Sequence, residues 1–68
     1  VKPGVTRQLA VTELPPGPPG EYVIGFAYAT EADRDRYAAA NRARGHRVVE
    51  VTMPGGEPAT FTFLRMPA

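Results

Sequence analysis

The chain has 68 residues, a formal net charge of +1 and 43% hydrophobic residues, a balance that makes one small domain of ordered elements rather than a generally disordered chain. It has no cysteine and one histidine, which excludes disulfides, thiolate metal sites and imidazole clusters, so no metal and no cofactor are expected. A chain this short buries only about 60% of its unfolded surface, and association is the reinforcement left open, so a homo-oligomer or another protein is the expected partner.

Val1 to Gly4 reads as a frayed lead-in. From Val5 the chain alternates: Val5, Leu9 and Val11 fall on one face with Arg7 interrupting, and Thr6, Gln8, Ala10 and Thr12 fall on the other. That pattern predicts a half-buried strand over about Val5 to Glu13. Pro15, Pro16, Pro18 and Pro19 then remove backbone donors, so Leu14 to Gly20 reads as a stiff connector. The alternative for this stretch is a proline-rich ligand for an aromatic groove.

Glu21 to Ala29 is the strongest strand signal. Tyr22, Ile24, Phe26 and Tyr28 share one face, and Val23, Gly25, Ala27 and Ala29 share the other. The small face admits close approach of another backbone or layer, with Gly25 as a bulge or a packing allowance. Thr30 to Gly45 is the one convincing helix. Thr30 suits the N-cap, Glu31, Asp33 and Asp35 crowd the first turn, Arg42 and Arg44 sit in the last, and Gly45 suits a left-handed stop. Winding it at 100° per residue groups Ala32, Ala39, Ala40 and Ala43 into a stripe with Tyr37 at its edge, and predicts that this stripe packs on the sheet. Arg36 falls inside the stripe and is expected to snorkel from it. Arg34 and Asn41 are expected on the solvent side. His46 to Met53 alternates again, Pro54-Gly55-Gly56-Glu57 signals a hairpin turn, and Ala59 to Met66 is the fourth strand.

The predicted architecture is α+β, a single ββαββ domain over residues 1–68, with one helix packed on a four-stranded sheet. Strand-strand-helix-strand-strand resembles the β-grasp fold of protein G, protein L and the ubiquitin-like families. That resemblance implies first and fourth strands central and parallel, with Val5, Leu9, Val11, Phe61 and Phe63 as the central core. The run from Tyr22 to Val49 is also similar to the strand-helix-strand half of ferredoxin-like modules, including peptidoglycan-binding SPOR domains. The alternative architecture is two hairpins that pair across a dimer into a larger sheet or barrel.

Catalytic signatures are few. There is no serine, the threonines have only His46 as a base, and Glu21, Glu50 and Glu57 are scattered along the chain. The turn at Pro54 lacks the lysine of a phosphate-binding loop. The chain ends Arg65-Met66-Pro67-Ala68 where ubiquitin-like modifiers end in Gly-Gly. The function expected first is therefore a small non-enzymatic interaction or regulatory module, self-associating through an aromatic sheet face or a strand edge. Tyr22, Phe26 and Tyr28 are its candidate contacts, and a chain without cysteine fits the cytoplasm. The second reading is a nucleic-acid-binding protein using Arg42, Arg44, His46 and Arg47, against which stands the net charge of only +1. The third is a small-ligand site at an oligomer interface with Arg36, Tyr28 or His46 supplying polar groups. No membrane partner is expected, since no apolar run approaches the ~20 residues of a span.

Overall fold

Two strands carry apolar or small side chains on both sides, and these two take the centre of the sheet. The structure, a computed structural model, describes residues 4–67, so the lead-in expected at Val1 to Pro3 lies outside the described residues. Its elements are β1 (Val5–Gln8), a 3-10 turn (Val11–Glu13), β2 (Glu21–Tyr28), α1 (Glu31–Ala43), β3 (Arg47–Thr52) and β4 (Pro58–Arg65). The ββαββ order and the single helix on a four-stranded sheet are as expected. The strand order is β1-β2-β4-β3 with every neighbouring pair antiparallel. The centre is thus β2 and β4, not a parallel β1 and β4 as the β-grasp resemblance implies. A central strand is buried on two faces and carries apolar or small side chains on both, which β2 and β4 do, β4 with Thr60 and Thr62 on one of them, and β1 does not. Because β2 and β3 both run against β4, they are parallel to each other, and α1 crosses between them as a split strand-helix-strand unit.

The first strand is shorter than expected. It pairs with β2 only from Val5↔Tyr28 to Gln8↔Phe26, with an irregularity between Val5 and Arg7. Leu9 still donates its N–H to the Gly25 carbonyl at 2.8 Å, and then the chain folds across the sheet face away from α1. Glu13 closes that turn: its N–H donates to Ala10 O at 2.9 Å, and its Oε2 accepts from Ala10 N at 2.8 Å. Leu9 and Leu14 come down on Gly25, where an added Cβ would lie 2.7 Å from a methyl of each. The glycine is therefore a packing allowance, and the small face of β2 is the seat of a strap made from its own chain. Leu9, Ala27 and Ala59 are buried beneath it, with Leu14, Val51, Met53 and Phe61 packed around them. Val11, expected in the core, stands 85% exposed because the chain has left the sheet before reaching it.

Arg7 latches the strap. Its guanidinium bonds both carboxylate oxygens of Glu57 in the β3–β4 turn (2.8 and 3.3 Å) and both of Glu13 (3.1 and 3.2 Å). Hydrogen bonds from Arg7 hold the Glu13 and Glu57 carboxyls below their ordinary range. With the folded value depressed, the unfolded chain binds more protons between the two values. The latch therefore stabilises fully above the ordinary glutamate value of about 4.3 and weakens as pH falls through and below it. The melting temperature should fall with acidification across that window, and Arg7→Met should flatten the profile when followed by circular dichroism.

The helix is turned relative to expectation. Ala32, Ala39, Ala40 and Ala43 are exposed, while Ala38 and Asn41 are buried and Tyr37 is half-buried. Alanine methyls bury little, so larger groups decide the rotation. The Tyr37 ring meets Phe26 and Tyr28 at centroid distances of 5.6 and 5.4 Å. The Arg34 side chain is only 13% exposed and donates to Val51 O at 3.0 Å. Arg42 donates to Val48 O at 2.8 Å and to Glu50 at 3.0 Å. Asn41 Nδ2 donates to Tyr37 O at 3.0 Å. The expected N-cap is present, with Thr30 Oγ1 accepting from Asp33 N at 3.1 Å.

Under α1, Thr60 and Thr62 are fully buried. Thr60 Oγ1 pairs with the Tyr28 hydroxyl at 3.0 Å, whereas Thr62 Oγ1 has no partner among the described residues. Burying an unpaired hydroxyl costs about 1–3 kcal/mol, so Thr62→Val, of the same shape, should raise stability by roughly 1 kcal/mol in a urea titration. A lower midpoint would show that the hydroxyl is satisfied.

Candidate functional site

The eight residues singled out in the sequence fall into three environments. Phe26 and Tyr28 lie under the helix. Tyr28 is 2% exposed, and burial pushes its phenol up to about 12. The aromatic sheet face is thus core. Arg36 and Arg42 are spent on internal pairs. Arg36 is solvent-facing and bonds Asp33 one turn back at 2.9 Å, beside a depression of about 210 Å³ walled by Tyr37 and Ala40. Arg42 is tied to Glu50 and to the β3 backbone.

Tyr22, Arg44, His46 and Arg47 converge. They line one groove of about 610 Å³ at the end of the sheet where β2 starts, β4 ends and β3 starts. Gly45, at φ 89°, turns the chain out of the helix and points His46 and Arg47 back along this end. The helix C-terminus disfavours anions through its free carbonyls, but here Asn41 O accepts from the N–H groups of Arg44 and His46 and Arg42 O from that of Gly45. The Glu21↔Arg65 pairing of β2 with β4 brings in Arg65, and Phe63 and Leu64 complete the wall. Arg47 lies 3.8 Å from the Phe63 ring centroid and is paired with Glu21 at 3.3 Å. Tyr22 is 43% exposed.

The distribution of charge sets this groove apart. All seven aspartate and glutamate side chains are ion-paired, and five arginines hold them: Arg7, Arg34, Arg36, Arg42 and Arg47. Among the described residues the arginines without a carboxylate partner are Arg44 and Arg65, and both line the groove. A net charge near zero therefore conceals a local excess of positive charge at one place. Comparison with family models, curated proteins and solved structures finds no match to this chain. The functional reading rests on the groove itself.

Arg65 is the residue the sequence reasoning missed. It lies far from the Arg42–Arg47 cluster in the chain, and only the non-local β2–β4 register places the two together. Elsewhere the surface offers less. Edge strand β3 already gives the carbonyls of Val48 and Val51 to helix arginines, and edge strand β1 has four residues and a broken register. No group of three or more metal-ligating side chains is present among the described residues, and no helix there is long and apolar enough to cross a membrane.

Proposed function

We propose that the protein is a non-enzymatic recognition module of the cytoplasm that takes an anionic partner in the groove at the end of the sheet. The observation that carries this reading is the charge ledger: every side-chain carboxylate is ion-paired, and the two arginines left over line the same groove. An unpaired guanidinium presents a planar fork of donors that matches phosphate and carboxylate oxygens. Here the two forks come from different elements, Arg44 just past α1 and Arg65 at the end of β4, so the groove offers an anion donors from two parts of the chain. Binding of labelled inorganic polyphosphate tests the reading. Wild-type protein should bind it at low salt, and Arg44→Ala/Arg65→Ala should bind it only weakly. Equal binding by both proteins removes the groove from the account.

Self-association is a second reading, supported by Val49. It stands 39% exposed beside the half-buried Phe61 on the sheet face that the helix does not cover. Much of the apolar surplus of the strands goes under the strap, so this face offers a smaller contact than the sequence implies. Light scattering across a concentration series decides it: a rising mass abolished by Val49→Lys supports a dimer, and a constant monomer mass rejects it.

A further inference from the structure

The groove supplies more than charge. Tyr22 presents an aromatic ring, 43% exposed, at the start of β2, in the groove that the two unpaired arginines also line, with Leu64 directly across from it on β4. We infer that the groove takes a short run of single-stranded nucleic acid, with a base stacked on Tyr22 and flanking phosphates held by Arg44 and Arg65. This inference rests on the anionic-partner reading and names the partner. An aromatic face interleaved with free guanidinium groups is the arrangement that serves single strands, because every base has a π-face and every phosphate accepts a fork of donors. A volume of about 610 Å³ also lies within the range that small organic ligands fill, of roughly 300–1,000 Å³.

The other anionic macromolecules fit less well. Peptides most often add main-chain hydrogen bonds to a free sheet edge, or lay an apolar helix face in a groove. Here the β3 edge is occupied by Arg34 and Arg42, and β1 is short and irregular. The groove is lined by side chains of both charges and by the rings of Tyr22, His46 and Phe63, not by an apolar trough. A duplex is read by an element inserted into its major groove, about 12 Å wide. The exposed side of α1 mixes alanines with Glu31, Asp35, Arg36 and Arg42, and both of these arginines are already paired, Arg36 with Asp33 and Arg42 with Glu50.

Fluorescence anisotropy separates these partners. The probes are a labelled oligothymidylate of about 12 nucleotides, within the span of single-strand sites, its duplex with oligoadenylate, polyglutamate and inorganic polyphosphate. The oligothymidylate should bind most tightly. Tyr22→Leu should weaken it about tenfold, the loss of one stacked base, and leave polyphosphate binding unchanged, while Tyr22→Phe should restore it. Tyr22, Arg44 and Arg65 are exposed, and unchanged circular dichroism shows that each variant is folded. Tighter binding of the duplex or of polyglutamate overturns the inference, as does a Tyr22→Leu protein that binds the oligonucleotide as well as wild type. In those cases retained polyphosphate binding, weakened in Arg44→Ala/Arg65→Ala, leaves the anionic-partner reading standing. Failure of every probe at low salt overturns both.

Discussion

Gly25→Val is expected to destabilise the protein by about 3 kcal/mol, the upper range for overpacking a filled core. A Cβ at this position already meets Leu9 Cδ1 and Leu14 Cδ2 at 2.7 Å and Leu9 Cβ at 3.2 Å. The two methyls are ends of side chains and can rotate, but Leu9 is 3% exposed and has little space to rotate into. Its Cβ moves only with the backbone, which is fixed by the Leu9 N–H to Gly25 O bond. The branched side chain of valine therefore lifts the strap and exposes the core over Ala27 and Ala59. For a small domain whose total stability is of order 5 kcal/mol, that is a large fraction. Gly55→Ala is the control, since a Cβ there meets nothing within 4 Å and φ is not positive. It should be neutral or gain a few tenths of a kcal/mol. Equal denaturation midpoints for Gly25→Val and wild type would show that the strap does not sit on β2.

How the sequence discloses this fold depends on the range of the interaction. Local signals hold up: the Thr30 cap, the Gly45 stop and the Pro54–Glu57 turn are all where short-range rules put them, the turn closed by Met53 N to Glu57 O at 2.8 Å. The contrast of large and small faces in β2 likewise discloses a close approach at Gly25. What fails is non-local. The strand order follows from which strands are apolar or small on two sides, a property of β2 and β4 that a count of elements does not use. The helix rotation fails because apolar patterning treats Arg34 and Asn41 as solvent-facing. In the fold, arginine stems and their bonds to β3 carbonyls outweigh four alanine methyls. The candidate site was half legible. Arg44, His46 and Arg47 are adjacent in sequence, but their neighbours Tyr22 and Arg65 arrive through the register of β2 with β4.

Loss of both unpaired arginines should have the largest effect on function. Arg44 and Arg65 are exposed and bond no side chain among the described residues, so Arg44→Ala/Arg65→Ala should fold normally. Its effect should fall on binding, by about a hundredfold or more at low salt, because two charge-assisted contacts of about 1.5–3 kcal/mol each are removed. Arg36→Ala is the matched control. It removes the same charge from a site outside the groove, where Arg36 is paired with Asp33. If affinity depended only on overall charge, Arg36→Ala would cost as much as either groove substitution. A cost confined to Arg44 and Arg65 locates the recognition in the groove.

The salt dependence of polyphosphate binding tests this most directly. Two arginine–phosphate contacts release between one and two counterions, so wild-type affinity should fall about seven- to twelvefold between roughly 50 and 200 mM salt. The Arg44→Ala/Arg65→Ala protein should show weak binding with a salt slope near zero. Parallel slopes for the two proteins would contradict the account, because the anion would then be held somewhere other than at these two arginines.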